Sequence, residues 1–106
     1  MSKTQELVKA LLARGEVRIS EHGYDELAQD GVFVRDLVDG LTNAELLEDY
    51  PDFPKGPCIL VLEWDRDKQP VHVVWGIPKG SNGPAVVVTA YRPDPDRWSD
   101  DFRRRR

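Results

Sequence analysis

A single cysteine, Cys58, stands in the 106-residue chain, so no internal disulfide can staple it. Histidine is almost as scarce. His22 and His72 are the only imidazoles, and no pair of cysteines or histidines has the C-x-x-C or H-x-x-x-H spacing of a metal site. No glycine-rich phosphate loop is present, and Cys58 lies in an apolar run that favours an inert thiol. Neither a metal nor an organic cofactor is therefore expected. No apolar stretch approaches the roughly 18 residues needed to span a bilayer, and the opening Met-Ser-Lys-Thr-Gln-Glu carries no apolar signal region. These absences lead to the expectation of a cytoplasmic protein with no membrane partner. Repeats, linkers and low-complexity tracts are missing too, and the length suits one domain.

Positive charge is short over most of the chain. The net charge is −4, yet Arg103 to Arg106 contribute four positive charges, leaving −8 over residues 1–102. An acidic body opposes sequence-independent binding to long duplex DNA, which needs a basic footprint. Residues 1–98 are expected to form a single α+β domain. Residues 99–106 are expected to be a basic, flexible tail with some affinity for phosphates.

What the chain does contain is a change of hydrophobic period at Gly40. Leu7, Val8, Leu11 and Leu12 recur at helical spacing, predicting a helix over 3–13 that Arg14-Gly15 stops. Residues 17–19 read as a short extended piece. Ser20 suits the N-cap of a second helix over 21–29, closed by Asp30-Gly31. Val34, Leu37 and Val38 mark a third over 33–39. Beyond Gly40 come four strand-like runs, 44–50, 58–64, 71–77 and 85–91, separated by turn chemistry such as Asp52-Phe53-Pro54-Lys55-Gly56-Pro57. Helices followed by a meander predict an α+β fold, with the helices on one face of a four-stranded antiparallel sheet. The last three strands should be consecutive and antiparallel, because their connections are hairpin-sized.

Candidate chemistry gathers on few residues. His72, Thr89 and Tyr91 are polar positions inside apolar strands, where an unpaired polar group costs about 1–3 kcal/mol. His22 opens the second helix with Asp25 and Glu26 one turn on, and a carboxylate beside an imidazole can poise it for acid–base work. Thr89 and Tyr91, at i and i+2, share one face of the last strand, and with Arg92 could hold a phosphate. Whether His72 joins them depends on register, since a one-residue slip exchanges faces. Each also has a structural reading: an anchored histidine, favoured strand residues, and at Tyr50-Pro51 a packed aromatic at a strand end.

The chain resembles the domain-of-unknown-function family numbered 4258, a group of small bacterial proteins. The resemblance rests on Ser20-Glu21-His22, Glu48-Asp49-Tyr50-Pro51, Pro70-Val71-His72-Val73-Val74 and Val87-Val88-Thr89-Ala90-Tyr91-Arg92-Pro93, in that order. The family is similar in layout to ribonuclease toxins of the RelE, colicin and barnase-like superfamily. That likeness implies metal-independent RNA cleavage with His22, His72, Thr89 and Tyr91 as catalytic candidates and Arg92 and Tyr50 as substrate-binding ones. Many members carry an Arg a few residues after the helix His, where this chain has Asp25 and Glu26. The partners so implied are RNA and a small antitoxin-like protein. The alternative is a non-catalytic interaction domain, homodimeric through a strand edge.

Overall fold

A computed structural model describes residues 2–106. Its elements are α1 (Lys3–Ala13), β1 (Val17–Ile19), α2 (Glu21–Asp30), α3 (Val34–Gly40), a 3-10 turn (Leu41–Asn43), β2 (Glu45–Tyr50), β3 (Cys58–Trp64), β4 (Pro70–Gly76) and β5 (Ala85–Tyr91). The helix ends follow from local chemistry. Ser2 Oγ accepts from the Gln5 N–H at 3.1 Å and Ser20 Oγ from the Gly23 N–H at 2.9 Å, while Gly31, at φ 66°, ends α2 in the left-handed conformation.

The sheet runs β1-β5-β4-β3-β2. From β2 to β5 it is the expected antiparallel meander, but it is five-stranded and mixed, because β1 pairs in parallel with β5, Val17 opposite Ala85 and Ile19 opposite Val87. A three-residue strand whose partner lies at the far end of the chain leaves no local signal. Everything from α2 to β4 is the crossover that a parallel pair requires. Strand β4 runs Pro70–Gly76, one residue earlier than expected at both ends: Pro70 already pairs with Trp64, and beyond Gly76 the Ile77 N–H still donates to the Pro57 carbonyl at 3.0 Å, but Pro57 has no N–H to complete the pair.

Alternation along the strands builds the core. Ile59, Val61, Val71, Val73, Trp75 and Val87 point to the face that Val8 and Leu11 of α1, Leu27 of α2 and Leu37 of α3 cover. The register aligns three rows on the second face: Leu62–His72–Tyr91, Leu60–Val74–Thr89 and Cys58–Gly76–Val86. A bulge at Val88 shapes that face. Val74 opposes Thr89 while Trp75 opposes Val87, so one extra residue resets the alternation, turning Ala90 into the core and Tyr91 out beside His72.

The N-terminus of helix α2 is fastened to the backbone of β5. The Ser20 N–H donates to the Val87 carbonyl at 3.0 Å and its hydroxyl to the Val88 carbonyl at 2.8 Å. Gly23 permits this approach, since a Cβ there would lie 2.8 Å from the Val87 oxygen. Ala is ordinarily the better helix former by about 1 kcal/mol. Gly23→Ala should instead destabilise the fold by about 1–3 kcal/mol. Urea denaturation checks this, and an unchanged or raised midpoint would contradict the docking.

Candidate functional site

His22 stands in the first turn of α2 with its side chain 69% exposed, and Glu26 is its i+4 neighbour. One carboxylate oxygen of Glu26 holds His22 Nε2. The other accepts from the Thr89 hydroxyl at 2.7 Å. A line His22–Glu26–Thr89 therefore joins the helix to the last strand at the sheet edge. Glu26 is thus the partner of the imidazole. The sequence reading set both Asp25 and Glu26 beside His22 without counting either as a site residue, and the i+4 acid, Glu26, is the one that the imidazole takes.

His72 has a different environment. It is fully buried, with Nε2 donating to the Phe102 carbonyl at 2.8 Å and Nδ1 facing the Tyr91 hydroxyl at 3.3 Å. Trp98 seals it edge-on, with ring centroids 4.2 Å apart. Desolvation lowers the pKa of His72, outweighing the Phe102 hydrogen bond that raises it. The ring is thus a neutral bolt that fixes the C-terminal segment to the second face. A folded-state pKa below the unfolded value means that acid favours unfolding: stability contributed by the neutral ring is lost as pH falls below about 6.5. His72→Asn should be destabilised at neutral pH, and its urea midpoint should converge on that of the wild type as the pH is lowered. Parallel curves would contradict a buried, neutral His72.

Arg92 turns away from both imidazoles. Its backbone N–H donates to Asp30 at 3.0 Å, and its guanidinium to Asp65 at 2.8 Å and to the Pro70 carbonyl at 3.4 Å. Burial opposes ionisation of Asp65. Hydrogen bonds from Gln69, Arg92 and Asp67 overcome it and hold the carboxyl below its usual range. The Tyr50 hydroxyl donates to Glu48 at 2.8 Å, and Glu48 also takes Arg105 at 3.0 Å. That hydrogen bond to Glu48 is the main cause of the raised Tyr50 pKa. Arg105 stacks 4.7 Å from the Trp98 ring centroid and Arg103 pairs with Glu45 at 2.5 Å, so two arginines of the basic tail rest against β2.

The six candidates thus separate. Thr89 meets His22 through Glu26, Tyr91 meets His72, and Tyr50 and Arg92 stand apart from both pairs. Between the groups, the second face is open as a groove of about 310 Å³ floored by Cys58, Val74, Gly76, Val86 and Val88. Arg18 of β1 flanks it on one side and the 51–57 turn, with Phe53 and Lys55, on the other. An adjoining cavity of about 250 Å³ reaches Tyr50, Leu60 and Tyr91. These flanking residues escaped the sequence reading because they converge only once the turn folds over the sheet.

Glu63 was missed as well. It is 1% exposed on the core face of β3, where its Oε2 accepts from Trp75 Nε1 at 2.9 Å. Its Oε1 lies beneath Gly40 and has no hydrogen-bond partner among the described residues. Burial pushes its pKa up to about 8 against the Trp75 hydrogen bond. The signal was present, since Glu63 continues the inward alternation of Ile59 and Val61.

Among the described residues, no three His, Cys, Asp or Glu side chains are grouped to hold a metal, and no helix is long and apolar enough to cross a membrane. No curated protein and no solved structure matches the chain. A family model does match, over residues 19–92, and that span takes in α2, α3, the whole meander and every candidate from His22 to Arg92. The chain belongs to the family described as a domain of unknown function (DUF4258).

Proposed function

We propose that the protein is a small, toxin-like endoribonuclease that cleaves single-stranded RNA at His22 without a metal. The observation that carries this reading is the double engagement of Glu26, which holds an exposed imidazole with one oxygen and Thr89 with the other. With Nε2–H directed at Glu26, Nδ1 is the free base. It takes the proton of a ribose 2′-hydroxyl as that oxygen attacks the adjacent phosphorus. The P–O2′ bond forms, the P–O5′ bond breaks, and the 5′-oxygen takes a proton from water. The products are a 2′,3′-cyclic phosphate and a 5′-hydroxyl. Glu26 orients the ring and stabilises the imidazolium, and Thr89 orients Glu26. Tyr91 and Tyr50 line the adjoining cavity, where they can position the strand. A small antitoxin-like protein seated over this face would hold such an activity in check.

A second reading, a non-catalytic interaction domain that can pair with its own copy, is favoured by the engagement of His72 and Arg92. The first is sealed under Trp98 and the second is bound to Asp65 and Asp30, so neither serves as a partner for His22. End-labelled single-stranded RNA incubated with the protein in EDTA near neutral pH separates the two. Fragments ending in a 2′,3′-cyclic phosphate support the nuclease. Intact RNA, or cleavage that chelation abolishes, supports the interaction domain.

A further inference from the structure

We propose that the groove on the second face seats one nucleobase of the bound RNA, with Phe53 as its stacking partner and Arg18 and Lys55 as contacts to the flanking phosphates. The proposal rests on the RNA reading above and assigns the place where the strand is held rather than cut. Charge is the first observation. In a chain of net charge −4, the only charged side chains lining the groove among the described residues are Arg18 and Lys55, both positive. Neither enters an ion pair or a side-chain hydrogen bond among the described residues, whereas Arg66, Arg92, Arg103 and Arg105 are each bound to a carboxylate. Two free cations on opposite sides of an apolar floor fit a ligand that has a flat apolar body between anionic groups. A nucleotide within a single strand has that form, and stacking with flanking cations is how such strands are held.

The second observation is that the wall is preformed. Phe53 is 49% exposed at the tip of the 51–57 turn. The Gly56 N–H donates to the Phe53 carbonyl at 2.9 Å and the Lys79 N–H to the Lys55 carbonyl at 3.2 Å, fastening the turn to the segment that leaves β4. Gly56 makes this possible: its φ is 125°, and a Cβ there would fall 2.0 Å from the Ile77 oxygen. An exposed aromatic on a rigid turn is ordered before the ligand arrives, which lowers the entropic cost of stacking. The third observation is position. Val88 lines the groove and precedes Thr89, while Arg18 lies just before Ser20 and His22. A strand crossing the groove toward the β5 edge would thus come to His22. The volume, about 310 Å³, is at the lower end of ordinary ligand sites and suits one base with its sugar.

The test uses a short fluorescein-labelled single strand with 2′-O-methyl sugars, which cannot be cleaved, titrated into the intact protein by anisotropy. Phe53→Ala should weaken binding by roughly five- to a hundredfold. Replacing Arg18 and Lys55 together by Ala should lower the slope of log affinity against log salt by about 1.4, the loss expected for two phosphate contacts on a single strand. Bound RNA should slow alkylation of Cys58, the one cysteine and part of the groove floor. These residues other than Cys58 are exposed, and circular dichroism of the variants verifies that they fold. No binding, affinity indifferent to Phe53 and to both cations, or undiminished alkylation overturns the proposal. So does protection of Cys58 by raised protein concentration alone, which would make a second copy the occupant. Binding that responds to these variants in a protein that cleaves nothing leaves the groove assignment standing and removes the nuclease. Cleavage by a protein whose binding ignores them does the reverse.

Discussion

Replacing Glu63 by glutamine is expected to make the protein more stable than the wild type above about pH 8 and to remove much of the pH dependence of its folding. The wild-type carboxyl has an ordinary value of 4.5 and is pushed up to about 8 by burial on the core face of β3. Between those two values the folded state keeps a proton that the unfolded chain has released. Stability contributed by this group is therefore complete below about pH 4.5 and falls as pH rises toward 8, with a slope approaching about 1.4 kcal/mol per unit. Among the described residues no charged neighbour offsets the burial. Trp75 gives one hydrogen bond, and Oε1 beneath Gly40 has none. Glutamine keeps an acceptor for Trp75 and cannot ionise. Urea unfolding near pH 5 and near pH 8.5 should show the two proteins exchanging order. Curves that stay parallel would mean that Glu63 is solvated or paired in solution.

The second large effect concerns His22. General acid–base catalysis is worth about 10²–10⁴-fold, so His22→Ala should lower RNA cleavage by that order. Glu26→Gln keeps the shape but loses the charge that stabilises the imidazolium. It should lower the rate less than His22→Ala and alter the pH–rate profile, which a merely structural substitution would not. Thr89→Val acts only by freeing Glu26, and its effect should be the smallest of the three. Tyr91→Phe removes a hydroxyl that faces His72 rather than His22, and should leave cleavage near the wild-type rate. Single-turnover rates on labelled single-stranded RNA in EDTA supply all four comparisons. Equal cleavage by wild type and His22→Ala would place the chemistry elsewhere.

Much of the fold was legible because it is written in local patterns. Ser20 as a cap, Gly31 as a stop and the apolar alternation of β3 each act within a few residues. The parallel strand β1 was not legible as such. Residues 17–19 are extended in any reading, and only the distant Ala85–Val87 segment decides that they join the sheet. The candidate site was half legible for the same reason. Residue chemistry singled out His22, His72, Thr89 and Tyr91, but their grouping depends on the bulge at Val88, which brings Tyr91 to the side of His72. Arg92 looked like a free cation because its acceptors, Asp30 and Asp65, lie far away in sequence.

The central claim is that the two imidazoles divide the work, His22 serving chemistry and His72 serving structure. Nuclear magnetic resonance of the histidine rings reads both in one sample as the uncleavable RNA strand is added. The account predicts that the His22 ring signals move with RNA, while those of His72 remain those of a neutral Nε2–H ring and do not shift. Movement of the His72 signals with His22 unperturbed would contradict it.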